Sequence, residues 1–367
     1  MSMLELGSLK MSISNTSHYH ALIMAGGKGE RFWPWSRQKL PKQLLPLFGK
    51  KTLIEMTVER LLPIIPKERI WIITNAEQAH AMARQMPRFL KSNFIIEPVG
   101  RDSAGAVMLG CATIAKKDSQ AIMALLPADQ FVNNAQSYAQ VLRACFDIAA
   151  AKNVLATIGV KPTEPSPAYG YIEQGAKVEN TSSKGIKTFQ AQRFLEKPDI
   201  QTAQHLVRSK RFYWNSGIFV WRASSIYEAL KKYSPIHANG WQSLQKNRRS
   251  YLAKGFWALP KISIDYAVME KAKNVCVVEG IFDWDDMGSW TALYKHMAKD
   301  KKRNVHQGNV LFLDSEGCLV LGKKKVIAAV GVRDLVIVQT DDATLICHRD
   351  ASQKIKELVK KLPAKLR

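Results

Sequence analysis

The first 160 residues alternate between short continuous apolar runs and stretches whose apolar positions recur three and four apart. Ala21–Ala25, Arg69–Thr74, Phe94–Glu97, Ala121–Leu126 and Val154–Ile158 are runs bounded by turn residues, the pattern of strands buried on both faces. Thr52–Leu62 and His80–Phe89 carry helical spacing between them. Strands alternating with helices predict a parallel sheet covered by helices, an α/β fold. Tyr213–Trp221 reads as a further strand, aromatic and interrupted by Asn215 and Gly217, and Ser263–Lys271 starts like an N-capped helix. From about Asn304 the texture changes. Val310–Asp314, Cys318–Leu321, Val326–Val330, Leu335–Val338 and Thr344–Cys347 are short strands separated by turns, and a helix over Ala351–Leu362 closes them. The expected division is a disordered extension over 1–17, a large domain over 18–300 and a small β domain over 301–367.

The chemistry concentrates just after the first strand. Gly26, Gly27 and Gly29 remove side chains where the backbone must turn sharply. Consecutive bare N–H groups in such a loop form a nest for anions, typically phosphate. Arg31, Arg37 and Lys42 add positive charge just beyond it, so the stretch reads as a loop that holds a nucleoside triphosphate. It is not a dinucleotide fingerprint, because Phe32 stands where the third glycine belongs, and no Walker A sequence is present. A glycine-rich turn that binds nothing is the plain alternative. The joint presence of the glycines, Arg31 and Pro41-Lys42-Gln43 argues against it.

Ala25-Gly-Gly-x-Gly-x-Arg31, then Trp33-Pro34-x-Ser36, then Pro41-Lys42-Gln43 resembles the signature of sugar-phosphate nucleotidylyltransferases. The Phe32-Trp33-Pro34 and Lys42-Gln43 forms resemble those of its mannose-1-phosphate guanylyltransferase branch. The resemblance implies a Rossmann-like, mixed and mostly parallel sheet flanked by helices, with a partial left-handed β-helix at the C-terminal end. It implies transfer of GMP from GTP to α-D-mannose 1-phosphate, giving GDP-mannose and pyrophosphate with Mg²⁺ as cofactor. Arg31, Lys42 and Lys197 are the implied catalytic cations. Ala25, Gly26, Gly27, Lys28, Gly29, Glu97, Gly100, Arg101 and Pro127 are the implied nucleotide contacts, with Glu97-Pro-x-Gly-Arg101 shaping the purine pocket. Gly170, Tyr171, Glu196, Lys197 and Asn215 are the implied sugar contacts, Asp265 being read as structural with a place near the sugar as the lesser alternative.

Asp129 and Asp286 are the expected metal ligands. A carboxylate delivered by the end of a buried strand, as Asp129 is, costs free energy unless it is paired or binds a cation. Asp283, Asp285 and Asp286 stand within four positions, and clustered acids repel unless neutralised. The family pattern Trp-x-Asp-x-Gly-x-Trp selects Asp286 and leaves Asp283 and Asp285 exposed or capping. The chain departs from the family at Asp102-Ser-Ala-Gly105 and at Gln130, where a histidine is usual.

Composition narrows the classes. The formal charge of +23 suits anionic partners, but no nucleic-acid module is legible and none is expected as a partner. Five scattered cysteines with no C-x-x-C pair suggest free thiols in a reducing compartment, the cytoplasm. No run is long enough for membrane insertion. The polar start lacks a secretory signal, and Met11 is a candidate natural start. The expectation is a protein without the additional isomerase domain of longer relatives, and a homodimer is compatible with the sequence. A sister enzyme for another sugar 1-phosphate or nucleotide, and a non-catalytic regulatory homologue, are the rival readings.

Overall fold

The computed structural model of the chain describes residues 16–27, 29–179 and 185–367. The expected extension over 1–17 lies outside the described residues apart from Thr16 and Ser17, which open a 3-10 turn, Thr16–His18. Lys28 also lies outside them.

Strands β1 (Tyr19–Met24), β2 (Ile70–Thr74), β3 (Phe94–Ile96) and β4 (Ile122–Pro127) run parallel in the order β3-β2-β1-β4. The two-residue β5 (Phe131–Val132) stands apart from this sheet. Beyond β4 come β6 (Leu155–Val160), β7 (Tyr171–Lys177), β8 (Thr188–Leu195), β9 (Phe212–Arg222) and β10 (Val275–Gly280), completing nine strands as β3-β2-β1-β4-β9-β6-β10-β8-β7. The sheet is mixed. Parallel pairing is confined to β1 to β4 and to β6 with β10, and the remaining pairs are antiparallel. The alternation of strands and helices that predicts parallel pairing holds only for the first half of the chain.

Both faces of the sheet are covered. Ala21 and Ile23 of β1 enter one core with helices Leu53–Leu61 and Ala135–Ala151, and Leu22 enters the other with Asp102–Lys117 and Ala223–Tyr233. That is the two-residue period of a strand buried on both sides. Gly110 lets helix Asp102–Lys117 lie directly on β1, since a Cβ there would sit 2.2 Å from Leu22 Cδ2. Helix Leu53–Leu61 begins where its sequence says, through a capping box between Thr52 and Glu55. The helix expected over His80–Phe89 instead spans Ala76–Gln85, because the Asn75 side chain accepts from Gln78 N and starts it earlier. Asp265–Met269 forms a π-helical turn, not an ordinary α-helix.

After β11 (Trp284–Asp285), which pairs antiparallel with β5, the chain enters a β coil. Its strands are β12 (Val305–Gln307), β13 (Val310–Leu313), β14 (Leu319–Leu321), β15 (Ile327–Val330), β16 (Leu335–Gln339) and β17 (Thr344–His348). The ladders β12-β14-β16 and β13-β15 are parallel, so successive turns of chain stack as in a β-helix, and antiparallel β17 ends the stack. The closing segment is a 3-10 stretch, Arg349–Lys354, leading into helix Ile355–Lys361. Val305, Leu319, Leu321, Val336 and Val338 of this coil share one core with Phe32, Trp33, Trp35 and Trp290. The glycine loop and the C-terminal coil therefore pack as one body.

Candidate active site

Strand order reverses between β1 and β4, and the carboxyl ends of both open into a cleft of about 1190 Å³. From the end of β1 come Gly26, Gly27 and Gly29. Gly29 has φ +62°, and a Cβ there would lie 2.3 Å from Lys42 Cβ, so only glycine lets the loop close over Lys42. The loop is braced from below. Gln43 Nε2 donates to the Ala25 carbonyl (3.0 Å), Thr74 Oγ1 donates to the same carbonyl (2.7 Å), and Ser36 Oγ donates to the Gly29 carbonyl (2.7 Å). Ala25 itself is buried behind the loop and does not line the cleft, contrary to its expected nucleotide contact, because its carbonyl is committed to this bracing.

Lys42 is the hub. Its side chain is buried, its Nζ lies 2.8 Å from Asp129 Oδ2, and it donates to the Asp286 carbonyl at 2.9 Å. Asp129 arrives from the end of β4, and Asp286 from the turn after β11, whose pairing with β5 draws the two acids toward each other. Asp286 Oδ1 accepts from Gly288 N (2.9 Å) and from the Tyr169 hydroxyl (3.2 Å). Burial pushes the Asp286 carboxyl up, Lys42 opposes that, and Asp285 and Asp129 reinforce it. The negative charge here is thus incompletely compensated by protein groups, a donor set that fits a hard divalent cation with phosphate oxygens completing its shell. Asp285 does not face the cleft: it is buried, lies 3.1 Å from His296 Nε2, and caps Met287 N at 2.8 Å.

Glu97 and Gly100 line the cleft at the end of β3. Among the described residues Glu97 Oε1 is buried with no hydrogen-bond partner, and burial followed by the charge of Asp102 pushes the carboxyl up to about 7. Pro127 lines the cleft beside Gly217. Arg101, expected in the nucleotide set, turns away. Its guanidinium donates to the Trp257 carbonyl, since the helix that starts after it carries the side chain toward the 3-10 turn Gly255–Ala258.

A second cluster lies at the ends of β8 and β9. Glu196 packs on Gly170, where a Cβ would come within 2.3 Å of Glu196 Oε2, and it pairs with Lys197. Burial works to lower the Lys197 ammonium, but contact with Glu196 outweighs it and the pKa is raised. Asn215 Nδ2 donates to Asp265 Oδ1 (2.8 Å), and Asn215 Oδ1 accepts from Gly217 N (3.1 Å). Burial, then the charge of Glu196, pushes the Asp265 carboxyl up. Tyr171 departs from expectation. It is fully buried, and its hydroxyl donates to Ser166 O (3.0 Å) and accepts from Ser166 N (2.9 Å), closing the proline loop from inside. Tyr169 lines the cleft in its place.

Gly26, Gly27, Gly29, Arg31, Lys42, Glu97, Gly100, Pro127, Asp129, Gly170, Glu196, Lys197, Asn215 and Asp286 thus share one cleft, as sequence reasoning grouped them. Sequence reasoning missed Tyr169, Lys261, Lys356 and Lys360, which line it too, and read Asp265 as structural first and near the sugar only second. For Asp265 a signal existed, an acid at a family element, whereas Lys356 and Lys360 read only as part of a basic helix face, with nothing local to place them in the cleft.

A profile of the nucleotidyl transferase family matches residues 20–303. The chain belongs to this family. A second profile, the MannoseP isomerase/GMP-like beta-helix domain, matches residues 308–362. Among members of the family, the chain is 36% identical over 346 residues to the mannose-1-phosphate guanylyltransferase of Escherichia coli, covering 92% of this chain and 72% of the relative. It is 35% identical over 357 residues to the alginate biosynthesis protein AlgA of Pseudomonas aeruginosa, covering 94% and 72%. A crystal structure from Thermus thermophilus, described as a mannose-1-phosphate geranyltransferase, superimposes with a TM-score of 0.86 at 38% identity, covering 94% of this chain and 99% of that one.

Proposed function

We propose that the protein transfers GMP from GTP to α-D-mannose 1-phosphate, releasing pyrophosphate and GDP-mannose, with Mg²⁺ as cofactor. The observation that carries this reading is the Lys42 hub, which ties the glycine loop to Asp129 and Asp286 within the cleft that also holds Glu196 and Lys197. The names of the relatives point the same way.

The sugar phosphate is already anionic near neutral pH, so its oxygen needs no general base. It attacks the α-phosphorus, the bond from that phosphorus to the bridging oxygen breaks, and the electron pair leaves on pyrophosphate. The protein therefore contributes positioning and charge stabilisation. The N–H groups of the glycine loop and Arg31 hold the triphosphate, and Lys42 keeps Asp129 and Asp286 in place. Lys197 holds the phosphate of the nucleophile while Glu196 accepts sugar hydroxyls, with Asp265 and Asn215 orienting the same end. Asp129 and Asp286 would hold a divalent cation, which would supply charge neutralisation at the reacting phosphates.

Glu97 supports the choice of base. Guanine presents N1–H and N2–H₂ together on its pairing edge, two donors for one carboxylate, whereas adenine presents an acceptor at N1. Five free cysteines, four of them buried, are in keeping with a cytoplasmic setting, and among the described residues no helix is long and apolar enough to cross a membrane.

The test is pyrophosphate release with mannose 1-phosphate and Mg²⁺, comparing GTP with ATP, UTP and dTTP. Release with GTP alone is expected. Release only with another sugar phosphate moves the specificity, and none with any pair refutes the reading.

A further inference from the structure

The cleft holds more cations than the chemistry above uses. Arg31, Lys42, Lys197, Lys261, Lys356 and Lys360 all line it. Lys42 is matched by Asp129 and Lys197 by Glu196. Lys356 and Lys360 are exposed and form no ion pair among the described residues, and neither does Arg31.

These three cations gather at one end. Helix Ile355–Lys361 packs against the 3-10 turn Glu30–Phe32, the continuation of the glycine loop. Ile355 and Val359 are buried in the core that contains Phe32 and Trp33. Lys356 and Lys360 follow each of them by one residue, so the pair forms a stripe four apart on one helix face, and both reach the cleft. The helix is tied down on the loop. Trp33 Nε1 donates to the Leu366 carbonyl (2.8 Å), Arg367 returns to the Lys360 and Leu362 carbonyls (2.8 and 2.7 Å), and Arg37 meets Asp342 (3.0 Å).

Like charges four apart on a helix repel, and Arg31 lies on the turn against which this helix packs. Glu30, on the same turn, is the acid at this end of the cleft; three cations against it leave two positive charges facing the cavity. An anion between them relieves the repulsion. In an in-line displacement the leaving group departs on the side of the α-phosphorus opposite the nucleophile. Lys197 after β8 is the cation assigned to the nucleophile, whereas Arg31 and the C-terminal helix stand together just beyond the glycine loop.

We propose that Lys356 and Lys360 bind the β- and γ-phosphates of the nucleotide and the departing pyrophosphate, so that the C-terminal β coil completes the active site. The proposal rests on the nucleotidyl-transfer reading. No proton moves in this step: the electron pair of the broken bond settles on pyrophosphate, and the two ammonium groups offset that charge.

The experiment is isothermal titration of the full-length protein with Mg-pyrophosphate, alongside steady-state kinetics in both directions. K356A/K360A is expected to bind pyrophosphate roughly 10- to 30-fold more weakly, and to raise the KM for pyrophosphate in the reverse reaction by a similar factor. The KM for mannose 1-phosphate stays within about twofold. K356R/K360R restores binding. K354A/K361A removes the same charge from the same segment at residues that do not line the cleft, and is expected to bind like the wild type. Equal binding by K356A/K360A and the wild type, equal weakening by K354A/K361A, or no pyrophosphate binding by the wild type each overturns the proposal. Pyrophosphate binding that needs both lysines, in a protein that transfers no nucleotide, supports the anion site and refutes the reaction assigned to it. Unchanged circular dichroism and thermal midpoint separate lost binding from lost folding.

Discussion

Glu97→Gln isolates one carboxylate oxygen in an otherwise isosteric side chain. Glu97 lines the cleft with Oε1 buried and unpartnered among the described residues, and burial pushes its pKa up to about 7 from an ordinary 4.5. A charged group in that state gains most from a ligand that brings donors, and hydrogen bonds to charged groups contribute about 1.5–3 kcal/mol. Losing one of two such bonds is expected to lower kcat/KM for GTP about 10- to 100-fold, leaving the KM for mannose 1-phosphate unchanged. ITP, which lacks the N2 amine, is expected to lose the same factor with the wild-type enzyme and little more with the variant. The sign of the pH effect follows from the raised pKa. The carboxylate is lost as pH falls through 7, so wild-type kcat/KM for GTP drops about tenfold per unit below that point, while the variant is flat. Stability runs the other way. The raised pKa contributes stability that is fully present below about 4.5 and is lost as pH rises through 7, at most about 2–3 kcal/mol, so the variant is expected to melt higher than the wild type at pH 8. Initial rates across pH 5.5–8.5 with GTP, ITP and 2′-deoxy-GTP decide the matter. A variant that keeps its GTP-to-ITP ratio but discriminates against 2′-deoxy-GTP less than the wild type refutes the base assignment and moves Glu97 to the ribose.

Lys42→Ala leaves Asp129 without its cation and frees the Asp286 turn, and Asp286→Asn removes one of the two acids; each is expected to lower kcat by at least about 10²- to 10³-fold in a protein that still folds, the Lys42 variant with a lower thermal midpoint because the ion pair of a buried lysine is broken, and near-normal turnover in either refutes its role. Gly29→Ala places a methyl group against Lys42 at a positive φ, so kcat is expected to fall by at least about tenfold as the loop lifts from the hub; a wild-type rate shows that the loop does not need this closure. Gly110→Ala drives a methyl into Leu22 beneath β1 and is expected to cost about 1–3 kcal/mol, read as a midpoint lower by several degrees, with kcat nearly unchanged in the folded fraction.

How far the sequence reached depends on the range of the interactions that place each residue. The glycine loop and Asp129 after β4 were legible because each follows its own strand end, and strand ends follow from local hydrophobic pattern, whereas Glu196-Lys197 after β8 was reached through the family resemblance. The capping box at Thr52 was written locally in the same way. Direction was another matter. Arg101 and Tyr171 stand in matching motifs, yet one side chain is claimed by the Trp257 carbonyl and the other by Ser166, choices made by packing partners and not by neighbours in sequence. Asp265 meets Asn215 across 50 residues, and Lys356 and Lys360 reach the cleft because the C-terminal coil shares a core with the loop. By itself the sequence determined the strands of the parallel half of the sheet and a glycine-rich loop with cations and acids nearby, since those rest on backbone propensity and side-chain chemistry. The tertiary structure alone decided which of them converge, how the sheet mixes its directions and which lysines join the site, because burial and long-range hydrogen bonds act only once the chain has closed on itself.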